Sequence, residues 1–166
     1  MTVLALSLRH LTPFAPAQTS AISFDAELVA NLLRVVLNNE WRRASDWRPV
    51  VRAQIEEIAT ECSSLNWDGY GAKAVSRRAK ENAQRFVDLL PTDIPEPAAV
   101  PDPDGHISLC WDFGRDRIFT ISIGESELAT YAGLLGKGVK RHGQEPFRGD
   151  VPKILLESVR EISPAR

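Results

Sequence analysis

The segment "GHISLCWDFGRDRIFTISIGESELATYAG", residues 105–133, decides the fold class. Its apolar side chains recur at every second position, which is typical of strands buried on one face. Two such runs are clear, at Ile107, Leu109 and Trp111 and then at Phe119, Ile121 and Ile123. "GRD" and "GES" are short turns between runs, and "ELATYAG" predicts a weaker third strand. The segment therefore predicts an antiparallel meander of three to four strands.

Helical periodicity precedes and follows this meander. A helix is predicted over 25–43, and a second begins near Pro49 with an apolar stripe at Val51, Ile55, Ile58 and Cys62. A third helix opens at the capping residue Ser76 and stops at Pro91, and a last helix begins near Pro152. Segregated helices and strands predict an α+β fold, with the C-terminal helix packed on one sheet face.

Two connecting segments complete the predicted organisation. "PTDIPEPAAVPDPDG", residues 91–105, is proline-rich and predicts a stiff extended linker, which could lie along the surface or include one short edge strand at 98–100. "GLLGKGVKRHGQEPFRG", residues 133–149, is glycine-rich and basic and predicts a loop. Residues 1–24 are expected to form an extended arm or edge strand, and residues 25–166 a single α+β domain.

Composition excludes several classes of protein. Hydrophobic residues make up 43% and charged residues 25% of the 166 residues, the balance of an ordinary soluble domain. The formal net charge of -2 gives no overall attraction to nucleic acid. Cys62 and Cys110 lack the spacing of a disulfide scaffold or a zinc site, so we expect both to be reduced and buried. The sequence predicts no membrane span, no cofactor and a cytoplasmic location.

The stretch "SSLNWDGYGAKAVS", residues 63–76, has two interpretations. Asp68 followed by Gly69 suits a turn with positive φ, and Trp67 and Tyr70 are expected to pack on the flanking helices, which makes the stretch a rigid connector. Alternatively, Trp67, Asp68 and Tyr70 form a contact patch for a partner, since loops often carry function.

The acidic and histidine residues around the first strand do not assemble a site by spacing alone. "PDPDGHISLCWD" lacks the first and last ligands of a calcium loop. His106 and Asp112 are about 20 Å apart along one strand, too far to share an ion, and His106 and Cys110 are about 13 Å apart. The other possible metal ligands in this region are Asp102, Asp104 and Asp116.

The predicted loop over 133–149 concentrates positive charge in its stretch 137–148. Its basic residues are Lys137, Lys140, Arg141, His142 and Arg148. Such a cluster can bind an acidic partner protein or nucleic acid phosphates, or it can be an ordinary solvated loop.

The motifs "NWDGYGA" at 66–72 and "DGHISLCW" at 104–111 resemble a family of small uncharacterised bacterial proteins of the accessory genome, found with mobile elements. The resemblance extends over residues 63–162. It implies no catalytic role, and only motif positions come with it: Trp67, Asp68, Gly69, Tyr70, Gly71, Asp104, Gly105 and Trp111.

The sequence therefore favours a non-enzymatic protein-binding module that occludes a partner, of the antitoxin, immunity or anti-defence type. Its predicted contact residues are Trp67, Asp68, Tyr70, Lys137, Lys140 and Arg141. Trp41 and Trp47 could extend this surface, promote a homodimer, or belong to the core. The alternatives are a small hydrolase or metal-dependent nuclease that uses Asp68, Tyr70, Asp104 and His106, and nucleic-acid binding through the basic stretch.

Overall fold

A computed structural model describes residues 46–164 of the chain. The predicted arm over 1–24 and the predicted helix over 25–43 lie outside these residues. The described elements, in chain order, are α1 (Arg48–Glu61), α2 (Arg77–Leu89), β1 (Ala98–Pro101), β2 (Ile107–Asp112), β3 (Arg117–Ile123), β4 (Leu128–Leu135), β5 (Lys140–Pro146) and α3 (Lys153–Ile162). The predicted α+β class is confirmed.

The five strands form one antiparallel meander in the order β1-β2-β3-β4-β5. Leu109 pairs with Ile121, and Ile121 pairs with Tyr131, so the apolar runs of successive strands lie side by side. The prediction of three to four strands was one too low. The missed strand is β5, "KRHGQEP", which lies within the stretch predicted to be a basic loop. Because β5 is an edge strand made almost entirely of polar residues, no apolar alternation marks it.

The alternation in β2 and β3 places one side of the sheet in the core. Ile107, Leu109, Phe119, Ile121 and Ile123 have no exposed surface. Their core cluster includes residues of all three helices, but not the side chains at the intervening positions of these strands. The predicted packing of the C-terminal helix against the sheet is confirmed, because α3 contacts β3 and β4.

Two tryptophans attach the proline-rich linker to the core. The indole N–H of Trp47 donates to the carbonyl of Ile94 at 3.0 Å, and that of Trp111 donates to the carbonyl of Pro95 at 2.8 Å. The linker then enters β1, which confirms the predicted edge strand. Trp47 is buried, so it belongs to the core and does not extend an exposed surface. Trp41 lies outside the described residues.

The remaining predictions concern a helix cap and the two cysteines, and not all of them are confirmed. Ser76 caps α2, since its hydroxyl accepts a hydrogen bond from the Ala79 N–H at 3.2 Å. Cys62 is buried as predicted, and burial raises the pKa of its thiol. Cys110 is only partly buried, because its position in β2 alternates with the core positions. Among the described helices, none is long and apolar enough to cross a bilayer.

Candidate functional site

The connection between α1 and α2 is closed by hydrogen bonds within itself. The Asn66 N–H donates to the carbonyl of Ala72 at 2.7 Å, and the Gly71 N–H donates to Oδ1 of Asn66 at 2.7 Å. The Val75 N–H donates to the carbonyl of Cys62 at 2.9 Å, which joins the two ends of the connection. These bonds define a closed loop over residues 66–72, which we call the display loop.

Asp68 is the main side-chain acceptor inside the display loop. Its Oδ1 accepts the N–H of Tyr70 at 2.8 Å and the N–H of Ala72 at 3.1 Å. These backbone donors, that of Tyr70 first, hold the pKa of the Asp68 carboxyl below its ordinary value. This carboxylate oxygen is thus occupied in shaping the chain.

Trp67 has a similar structural role. Its indole N–H donates to the carbonyl of Lys73 at 2.9 Å, and its ring packs, partly buried, against the core. Of the three predicted contact residues in this stretch, Trp67 and Asp68 therefore support the connector.

The backbone of the display loop requires its small residues. Asn66, Gly69 and Gly71 have positive φ, at 63°, 77° and 100° respectively. Asn tolerates the left-handed region better than most residues, whereas a φ near 100° is favourable for glycine only. The conformation is therefore encoded by these residue types.

Tyr70 stands apart from its neighbours. Its side chain is 95% exposed, so the expectation that it packs on the flanking helices is wrong. Leu65, one residue before the display loop, is 76% exposed. We did not predict Leu65 as a site residue, although an apolar residue in a turn-rich stretch was a visible signal. The display loop and the residue before it thus place an aromatic and an aliphatic side chain in solvent.

The two residues that follow the first motif lie against the start of the second motif. Directly after the display loop, the Lys73 N–H donates to the carbonyl of Pro103 at 2.8 Å. A Cβ atom at Gly105 would lie 2.8 Å from the carbonyl oxygen of Ala74. Only glycine fits this approach, which explains the "DG" of the second motif.

A polar cavity of about 450 Å³ lies beside this junction, lined by Lys73, Ala74, Ser76, Asp104, Gly105, His106, Glu125 and Ser126. Asp104 and His106 of the proposed enzyme site therefore share one cavity. Asp68 and Tyr70 are not among its lining residues, so the four residues of the alternative hydrolase site do not all line this cavity.

His106 and its neighbours form a hydrogen-bonded cluster. Nδ1 of His106 lies 3.3 Å from Oδ2 of Asp104 and 3.3 Å from Oγ of Ser122. The Ser122 hydroxyl donates its single proton to Asp102 at 2.7 Å, so it meets His106 as an acceptor. A relay of nucleophile, histidine and acid needs the serine and the carboxylate on opposite ring nitrogens. Here both lie at Nδ1, while Nε2 lies against Gly124.

The acidic residues do not supply a metal centre either. Within residues 46–164, no group of three or more His, Cys, Asp or Glu side chains is placed to hold a metal ion. Asp102 accepts hydrogen bonds from Ser108 and Ser122, and Asp112 accepts the Gly114 N–H at 2.9 Å. These carboxylates mainly organise strands and turns.

The basic residues predicted as a contact cluster belong to the hairpin of β4 and β5, which places them in different positions and on different faces. Lys137 lies in the turn with φ 50°. Lys140 begins β5 and is exposed, whereas Arg141 faces the helices, where it donates to Ser158 at 2.8 Å and pairs with Glu161 at 3.4 Å. The strand alternation thus sends Lys140 and Arg141 to opposite faces of the sheet.

Comparisons of the chain with protein-family models, with curated proteins and with solved structures gave no match. The resemblance to a family of small accessory-genome proteins therefore stays a prediction.

Proposed function

We propose that the protein is a non-enzymatic binding module that occludes a partner protein, and that Tyr70 on the display loop is its anchor. The observation that carries the proposal is the contrast within this loop. Asn66 and Asp68 each accept backbone N–H groups of the loop and Trp67 donates to the carbonyl of Lys73, while Tyr70 is 95% exposed.

This arrangement suits protein recognition for two physical reasons. Exposed tyrosines are enriched among the residues that dominate binding energy, because the ring offers a large contact area with few rotatable bonds. A loop already held in one conformation loses little entropy on binding, so more of the contact energy contributes to affinity. Leu65 adds apolar area close by in the chain, since 76% of its surface is exposed.

The size of the expected contribution follows from the exposed ring. Complete burial of such a side chain contributes roughly 2 kcal/mol, at about 25 cal/mol per Å² of apolar surface. Loss of the ring is therefore expected to weaken binding about thirtyfold, since 1.4 kcal/mol corresponds to a factor of ten.

The hydrolase and nuclease alternatives receive less support from the same residues. Asp68 is occupied by backbone N–H groups, and Ser122 donates to Asp102. Nucleic-acid binding through 137–148 is also less favoured, because Arg141 pairs with Glu161 and Arg148 pairs with Glu127 at 3.7 Å.

Affinity capture from lysate of the source cell tests the proposal with three baits: the unmodified chain, Tyr70→Ala and Val50→Ala. Val50 is a matched control because it is apolar and 53% exposed but lies on α1. A protein retained by the first and third baits and lost from the second supports the proposal. That protein should then bind the purified unmodified chain, with affinity about thirtyfold weaker for Tyr70→Ala.

Equal retention of the partner protein by all three baits would show that Tyr70 is not its anchor. Failure of any purified protein to bind would contradict the binding role. Circular dichroism and thermal unfolding of each bait ensure that a loss of binding reflects the missing side chain and not a misfolded chain.

A further inference from the structure

On the side of the sheet away from the described helices, charged and apolar side chains follow an ordered pattern. Strand register places Asp112 beside Ile118, Ile118 beside Leu134, and Leu134 beside Lys140. All four occupy positions that alternate with core positions or, for Lys140, lie next to the helix-facing Arg141. One row across β2 to β5 therefore consists of an acidic side chain, two apolar side chains and a basic side chain, in that order. We call the side of β2–β5 that carries this row the open face.

The next row of the open face has small side chains at its centre. It runs from Cys110 through Thr120 and Ala132 to His142. A shallow hollow of about 460 Å³ lies beside it, lined in part by Ile118, Ala132 and Leu134. Small side chains at the centre of a sheet allow another sheet to approach to the ordinary separation of about 10 Å.

We propose that the open face is an interface with a second copy of this chain, packed sheet on sheet about a two-fold axis parallel to the strands. Such an axis, placed between β3 and β4, reverses the order of the row in the partner copy. Asp112 then faces Lys140 of the partner copy, Ile118 faces Leu134 of the partner copy, and each contact occurs twice. The row is thus complementary to itself in both charge and hydrophobicity.

The charges match between two copies and not within one. Asp112 and Lys140 are separated by three strand spacings, about 14 Å, so they do not pair inside the same chain. The residues of the open face are different from those of the display loop. The interface and the proposed binding role can therefore be tested separately.

The available area agrees with a weak, reversible dimer. Four strands about 4.8 Å apart and about seven residues long cover on the order of 450 Å² per copy. Two copies together bury on the order of 900 Å², a size typical of transient protein interfaces.

Charge reversal tests the proposal on the full chain by sedimentation velocity over a wide range of concentration. Asp112→Lys and Lys140→Glu each create two like-charge contacts per dimer and should weaken dimerisation roughly tenfold or more. An equimolar mixture of the two variants should form a heterodimer about as stable as the original dimer, because one variant supplies the charge that the other lacks. Lys153→Glu, the same charge change at an exposed residue of α3, is the matched control and should leave the dimer unchanged.

Folding of each variant is checked by circular dichroism, since Asp112 also accepts the Gly114 N–H at 2.9 Å. If Asp112→Lys does not fold, Asp112→Asn keeps an acceptor oxygen, and its mixture with Lys140→Glu should recover dimerisation in part. A full chain that stays monomeric at every concentration overturns the proposal, whichever other segment or partner covers the face. A dimer that ignores both reversals, or two folded variants that fail to associate when mixed, also overturns it.

Discussion

Replacing Gly71 with alanine tests whether the display loop is held in one backbone conformation. The φ of Gly71 is 100°, and apart from the glycine and its two chain neighbours no residue has an atom within 4 Å of the position where a Cβ would be added. The added methyl group therefore meets no neighbour, and the whole effect arises from the backbone. Holding a residue with a side chain in such a region costs of order 1–3 kcal/mol. The reduced entropy of the unfolded chain returns about 0.4–1 kcal/mol.

The expected net loss for Gly71→Ala is about 1–2 kcal/mol in the free energy of unfolding, or roughly 2 to 8 °C in Tm. Gly149→Ala is the matched control, since its Cβ would also enter open space but its φ is not positive. That variant should stay within about 0.5 kcal/mol of the unmodified chain or gain slightly. Chemical denaturation of both variants measures the difference. Equal stabilities would refute the reasoning, because the display loop would then change conformation without cost.

Three further substitutions separate structural from displayed residues. Asn82→Ala should destabilise the chain by roughly 1–3 kcal/mol, because the buried Nδ2 of Asn82 donates to the carbonyls of residues 124–126 at 3.0 to 3.3 Å. A loss below about 0.5 kcal/mol in urea unfolding would contradict this role. Tyr70→Ala should change stability by less than about 0.5 kcal/mol, since its side chain is 95% exposed; a clear fall in Tm would show that the ring packs. Asp68→Asn should be less stable than the unmodified chain at neutral pH, because the pKa of the Asp68 carboxyl is lowered by backbone donors in the folded state. That difference should shrink as the pH falls below about 4 and through the lowered pKa, and a pH-independent difference in thermal unfolding would contradict it.

Much of the fold could be predicted because its signals are local. The period of two in Ile107, Leu109 and Trp111 and the cap at Ser76 each depend on a few neighbouring residues. β5 could not be predicted in this way. This strand is defined by its pairing with β4. Its residues "KRHGQEP" form an edge strand although they show no apolar alternation.

The candidate site was predictable as a motif but not as a geometry. The glycines of "NWDGYGA" indicated positive φ, which the display loop has. Whether Trp67 or Tyr70 faced solvent depended on the path of the chain after Gly71, where the Lys73 N–H meets the carbonyl of Pro103. That contact joins residues thirty positions apart, and only the folded chain establishes it. Lys140 and Arg141, adjacent in sequence, were wrongly grouped on one surface, because the stretch was predicted to be a loop and the alternation of β5 sends them to opposite faces.

The rigidity of the display loop is the claim on which the proposed function depends most directly. Backbone ¹⁵N relaxation of the free protein gives order parameters for the amides of Tyr70, Gly71 and Ala72. The hydrogen bonds to Asp68 and Asn66 predict values of about 0.85, equal to those of the helices. Values below about 0.6 would show a flexible loop and would contradict the account of Tyr70 as a side chain held ready for a partner.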